Sequence, residues 1–145
     1  MSIKDRVQGA ITEAMKNREA VRLECLRLAK GALLVKEKES SAALTDEAAI
    51  SVLRTEVKKR QQSIEIFREH NKEDEAKASE EEIRILEEFL PQQLSADRIE
   101  EKVRAYLAEH PDTNHAGKLT GALKKELGDQ ADGKLLNQIC RKVLE

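Results

Sequence analysis

The chain has no tryptophan, one tyrosine and two phenylalanines. Strand-rich cores draw on aromatic and β-branched residues, so this composition argues against a β interior. It also leaves little with which to stack nucleobases. Only Pro91 and Pro111 can break a helix outright in 145 residues. Two cysteines are too few for a disulfide framework, and they belong to no metal-spaced cluster. Cys25 and Cys140 each fall in an apolar helical stretch and read as small buried hydrophobes in a reducing compartment. No apolar run approaches the roughly 20 residues needed to span a bilayer. The opening Met1-Ser2-Ile3-Lys4-Asp5-Arg6 lacks an apolar signal core. The expectation is a soluble, cytoplasmic protein that does not engage membranes.

An excess of one charge is missing too. Lys and Arg number 26 against 28 Asp and Glu, a formal net charge of −2. That balance gives no general drive toward nucleic acid. Charged residues nevertheless make up 37% of the chain, which favours long surface helices. Their distribution is uneven. Acids dominate from Lys72 to Glu88, whereas Gly117 to Glu126 carries Lys118, Lys124, Lys125 and one acid.

Leu, Ile, Val and Ala recur at helical spacing almost throughout. Ser2 caps a first helix to about Lys16, with Ile3, Val7, Ile11 and Ala14 on one face. A second runs from about Glu19 to Glu39 with two adjacent stripes. Val21, Cys25, Leu28, Ala32 and Val35 form one; Leu26, Ala29 and Leu33 form the other. A helix apolar over that much of its circumference is expected to have more than one packing neighbour.

Thr45 caps a third helix, whose stripe Ile50, Leu53, Val57, Ile64 and Phe67 is interrupted at Arg60. Arg60 is expected to snorkel or to pair with an acid on the next helix. Asn71 is expected to cap that fourth helix, buried through Ala76, Ile83, Leu86 and Leu90, with Glu80–Arg84 and Lys77–Glu81 as i,i+4 pairs.

Pro91 closes that helix, and the stretch Phe89-Leu90-Pro91-Gln92-Gln93-Leu94-Ser95 is the clearest boundary. Residues 1–92 are therefore assigned to a helical bundle and residues 93–145 to a smaller three-helix domain. The overall class is all-α. A unit of that size has a small core and is expected to lean on the bundle.

In the smaller domain, Ser95 starts a helix carrying Ile99, Val103 and Leu107. A polar loop from Pro111 to Asn114 follows, flanked by His110 and His115. No third ligand accompanies these histidines, so no metal site is assigned. Leu119, Leu123 and Leu127 face inward from the next helix, Gly128 stops it, and Asp132 caps the last.

Gly117 and Gly121 lie four apart on one helical face, flanked by Lys118, Lys124 and Lys125. A glycine inside a helix costs about 1 kcal/mol relative to alanine. Two on one face suggest the close approach of another backbone or of a ligand. One alternative is tight helix packing with the lysines solvated. The other is a sugar–phosphate backbone lying on the glycines, with Ala131-Asp132-Gly133 and Lys134 opening the final helix beside it. The candidate RNA-binding set is Gly117, Lys118, Gly121, Lys124, Lys125, Asp132, Gly133 and Lys134.

Several short stretches together carry a family resemblance. They are Leu26-Arg27-Leu28, Val57-Lys58-Lys59-Arg60, the joint Phe89 to Ser95, the run Gly117-Lys118-Leu119-Thr120-Gly121-Ala122-Leu123-Lys124, and Ala131-Asp132-Gly133 with Leu144. In that order and spacing the chain resembles the YqeY-like family, whose C-terminal region is shared with the tail of the GatB subunit of tRNA-dependent amidotransferases. It departs at Leu119 and Leu123, where the family often has methionine, a swap that keeps apolar volume. The resemblance implies a helical bundle followed by a three-helix domain. By analogy it implies a tRNA-binding or tRNA-amidation accessory role, and a link to carbon–nitrogen ligase activity with glutamine as amido donor.

The residues themselves show no phosphate-cradling glycine loop, no serine or cysteine nucleophile paired with a base, and no cofactor or metal set. No catalytic residue is assigned. Three readings therefore stand: a tRNA-binding accessory protein, a helical protein-interaction module, and an amidotransferase component active only with partner subunits. The chain by itself is expected to be a monomer.

Overall fold

A computed structural model describes residues 1–145. Seven α-helices follow one another without a strand: α1 Ile3–Lys16, α2 Ala20–Ser40, α3 Asp46–Glu69, α4 Glu73–Glu87, α5 Ala96–Glu109, α6 Ala116–Leu127 and α7 Gly133–Leu144, with a 3-10 turn at Gly128–Gln130. The protein is all-α, as its composition and periodicity require. Two compact units divide between Leu90 and Pro91, Met1–Leu90 holding α1 to α4 and Pro91–Glu145 holding α5 to α7. No helix is long and apolar enough to cross a membrane.

Local capping chemistry sets most helix starts. Ser2 Oγ accepts the Asp5 N–H at 3.1 Å, Thr45 Oγ1 that of Ala48 at 3.1 Å, and Ser95 Oγ that of Arg98 at 3.3 Å. Each fills a backbone donor that a first helical turn leaves open. Asn71 departs from its expected role as a cap. Its φ is 59°, the left-handed conformation that Asn tolerates better than most residues, and it turns the chain. Lys72 then precedes α4 without a side-chain cap, and Glu73, Asp74 and Glu75 face the positive end of the helix dipole.

In the first unit, Ile3, Val7, Ile11 and Ala14 of α1 meet Cys25, Leu26, Ala29 and Leu33 of α2, Ala49, Leu53 and Val57 of α3, and Ile85, Leu86 and Phe89. The expectation that α2 has more than one packing neighbour is met, but its two stripes are not equally covered. Val21, Leu28 and Val35 are 64%, 56% and 60% exposed. Helices α1, α3 and α4 all contact α2, yet they cover only the side carrying Leu26, Ala29 and Leu33. Cys25 lies on the boundary and is buried. Burial pushes its thiol up to about 11, so it keeps its proton at neutral pH.

Arg60 fills the break in the α3 stripe by pairing with the next helix. Its Nε donates to Glu82 Oε2 at 2.9 Å, while Nη1 donates to the Glu56 carbonyl at 3.0 Å. The stem is buried and the charge neutralised, so a polar residue fits on an apolar stripe. Arg22 grips Glu88 with both terminal nitrogens, at 2.5 and 3.0 Å. Arg6 donates to the Glu88 carbonyl at 2.9 Å and lies over the Phe89 ring at 5.5 Å. Together they fix the end of α4. The expected i,i+4 pairs of α4 are replaced. Glu80 reaches across to Arg68 of α3, and Arg84 takes Glu81 at 2.6 Å.

Two leucines two positions apart on α2 should therefore behave oppositely. Leu26→Ala empties a fully buried site and should cost about 2–5 kcal/mol. Leu28→Ala should stay within about 0.5 kcal/mol, as for an ordinary surface position. Urea denaturation of the two variants measures this; comparable losses would mean that the outer face of α2 is covered.

Candidate functional site

The second unit is closed by Ile99 and Val103 of α5, Leu119, Leu123 and Leu127 of α6, and Ala131, Leu136, Ile139 and Cys140 at and beyond the turn into α7. Spacing of four residues puts the three α6 leucines on one face. About 180° away, at about 100° per residue, lie Lys118, Gly121 and Lys125. All three are exposed.

The two glycines have separate environments. A side chain added at Gly121 would meet nothing within 4 Å. One at Gly117 would meet only the ring of His115, at 3.0 Å. His115 caps α6, its Nδ1 accepting the Gly117 N–H at 3.1 Å. Neither α5 nor α7 packs on either glycine, so the tight-packing alternative finds no partner within this unit. His110 is occupied elsewhere, its ring stacked on Tyr106 at 4.2 Å and its Nδ1 on the Tyr106 carbonyl at 3.2 Å.

Lys124 differs from its neighbour Lys125. Its ammonium donates to the Gly128 carbonyl at 2.9 Å and to the Ala131 carbonyl at 2.5 Å. It thus satisfies carbonyls around the end of α6, where the helix supplies no donors of its own. Gly128 makes the turn with φ 56° and ψ −130°, a combination essentially confined to glycine. The same turn is held from the boundary segment. Gln93 Nε2 donates to the Asp129 carbonyl at 2.9 Å and the Leu94 N–H to the Gln130 carbonyl at 2.7 Å. Asp132 then caps α7 as expected, accepting the Leu135 N–H at 3.0 Å. Its carboxylate occupies one of the donors that the start of α7 would otherwise offer to an anion.

Asn137 Nδ2 donates to Thr120 Oγ1 at 3.2 Å and so defines the sides of α6 and α7 that face each other. About 40–60° further round, toward solvent, α6 presents Gly117 and Lys124 and α7 presents Lys134 and Arg141. The outer surface accordingly has two cation rows. Lys118 and Lys125 form one, seven residues apart; Lys134 and Arg141 form the other at the same spacing. None of these four side chains has an ion-pair partner, whereas Lys142 and Arg104 share Glu100. Gly121 and Gly117 lie between the rows. Of the sequence-derived set, Lys118, Gly121, Lys125, Gly117 and Lys134 belong to this open surface. Lys124, Asp132 and Gly133 build the turn and the helix start that position it.

Arg141 and Asn137 are not among the candidates that the sequence singles out. The available signal was the repeat of the seven-residue cation spacing in α7.

Because Lys124 holds the turn and Lys125 does not, Lys124→Ala should destabilise the protein by about 1–2 kcal/mol. Lys125→Ala should stay within about 0.5 kcal/mol. Gly128→Ala should cost about 1–3 kcal/mol through backbone strain. Thermal melts of the three variants compare them directly, and a Lys125 loss as large as that of Lys124 would contradict the assignment.

Comparison with known proteins matches residues 4–144 to the family described as "Yqey-like protein". An uncharacterised protein of Schizosaccharomyces pombe is 30% identical over 89 residues, which span 61% of this chain and 72% of that protein. The family match covers both helical units, including the boundary segment and the glycine–lysine helix whose geometry is described above. The chain belongs to the YqeY-like family.

Proposed function

We propose that the protein binds RNA, transfer RNA foremost, through the outer face of α6 and the adjoining face of α7. The observation that carries this reading is the exposed α6 face at Gly121, where an added side chain would meet nothing within 4 Å, between two rows of unpaired cations, Lys118 with Lys125 and Lys134 with Arg141. A phosphodiester backbone needs close approach to the helix and positive charge on either flank, and this surface offers both. The unit's only aromatic ring besides histidine, Tyr106, is stacked on His110, so recognition rests on backbone shape and phosphate rather than on stacked bases. The resemblance to the GatB tail supports tRNA as the RNA and an accessory place in tRNA-dependent amidation. In that reading any carbon–nitrogen ligase chemistry resides in partner subunits.

A titration with total cellular tRNA at two salt concentrations tests this. The double variant Lys118→Ala with Lys125→Ala should lower the salt slope of binding by about two units. Gly121→Leu should weaken binding by bulk, while the melting temperature holds or rises, since the site is open and leucine is the better helix former. Parent-like binding by the lysine variant would overturn the reading.

The exposed stripe Val21, Leu28 and Val35 favours a second reading, in which the first unit contacts the apolar face of a helix in another protein. The chain alone should then sediment as a 16.4 kDa monomer. A concentration-dependent dimer abolished by Leu28→Asp would instead make the stripe a self-association surface.

A further inference from the structure

Between the start of α6 and the end of α7 lies an open cleft of about 480 Å³, lined by Asn114, Gly117, Asn137, Arg141, Leu144 and Glu145 among others. We propose that this cleft is a subsite for one unstacked nucleotide of a bound RNA. The inference rests on the RNA reading and deepens it.

The volume falls within the range of small-ligand sites, roughly 300–1,000 Å³. The lining matches the parts of a nucleotide. Arg141 is exposed and has no carboxylate partner, leaving a planar fork of N–H donors suited to two oxygens of a phosphate. Asn137 is half-buried and uses one Nδ2 hydrogen on Thr120. Its second Nδ2 hydrogen and its Oδ1 remain, a neighbouring donor and acceptor of the kind that reads a base edge. Leu144 supplies an apolar wall for a ring or sugar face. Gly117 forms the α6 wall together with the ring of His115.

Glu145 lies four residues beyond Arg141, lines the same cleft and forms no ion pair with it. With one cationic and one anionic side chain the cleft has little net charge of its own, so the preference for a nucleotide within an RNA strand comes from the cation rows beside it. Unstacked bases in RNA loops and bulges can be held by their edges, and α6 would present one such nucleotide to this cleft while its neighbours follow the cation rows, adding one local base contact to recognition otherwise carried by phosphate and shape.

The full-length chain, labelled with ¹⁵N, should be titrated with dinucleoside monophosphates, with nucleoside 5′-monophosphates, with an acidic peptide and with total tRNA. Dinucleoside monophosphates should shift the Asn137 side-chain amide and the Gly117 backbone amide. Arg141→Gln should abolish those shifts; Lys118→Ala with Lys125→Ala should leave them in place. With tRNA, Arg141→Gln should lower the salt slope by about one unit. Unmoved cleft resonances, or shifts that survive Arg141→Gln, would overturn the subsite while normal tRNA binding left the RNA reading intact. Equal shifts from the acidic peptide would overturn it in favour of a peptide site. Absence of binding by every nucleotide and RNA probe would remove both readings together.

Discussion

The Lys124 ammonium rests on two backbone carbonyls, those of Gly128 and Ala131, and the geometry of the second unit follows from that contact. A chain leaving α6 must reverse within a few residues so that α7 can return Leu136, Ile139 and Cys140 to Leu119, Leu123 and Leu127. The reversal uses a glycine in a conformation other residues avoid, and it leaves carbonyls without helical donors. Lys124 supplies one charged group to two of them. Gln93 and the Leu94 N–H secure two more. The boundary segment is thus also a structural part of the domain it introduces. Phe89 ends in the core of the first unit, while four residues later the chain is already bonded to the turn of the second.

That arrangement separates lysines that look alike in sequence. Lys124 and Lys125 are adjacent, yet one is an internal donor and the other a solvated cation. Averaged net charge hides such distinctions. The first unit places part of its charge in defined pairs, Arg60 with Glu82, Arg22 with Glu88 and Arg68 with Glu73 and Glu80, and leaves cations such as Lys58 and Lys72 without one. The α6–α7 surface keeps Lys118, Lys125, Lys134 and Arg141 without partners. A net charge of −2 is compatible with both, because the sign that matters to a phosphate is the local one.

Features governed by near neighbours along the chain are legible in the sequence itself. Ser2, Thr45, Ser95 and Asp132 cap their helices because a hydroxyl or carboxylate reaches a donor three residues on. The Arg60 break on an apolar stripe implies an acid on the next helix, and Glu82 is there. Features that depend on what lies across the fold are less legible. Asn71 is a competent cap residue by type, but the tight turn needs a left-handed residue more than it needs a cap. The α2 stripes have the right period, but period cannot say which side three other helices will cover. Lys124 gives no local sign of folding back, because its acceptors exist only once Gly128 has turned the chain. Arg141 likewise gains significance only when Asn137 meets Thr120 and brings α7 beside Gly117.

Gly121, like Gly9 and Gly31, is a mid-helix glycine for which the fold gives no packing reason; it alone of the three lies between exposed lysines on the α6 face. A glycine in mid-helix is a burden of about 1 kcal/mol relative to alanine, and in most folds a close neighbouring backbone accounts for it. Here a side chain at that position would meet nothing within 4 Å, and the residue sits inside the uninterrupted helix Ala116–Leu127. Intramolecular packing therefore gives no return for the missing side chain. Lys118 and Lys125 on that outward face form no internal side-chain hydrogen bond or ion pair. In the proposed RNA reading such a face suits a ligand that comes close to the backbone and carries negative charge, and a phosphodiester strand meets both conditions. A protein helix meets the first easily and the second only if acidic, and that distinction separates the two surfaces of this molecule: α2 offers apolar area, α6 offers access and charge.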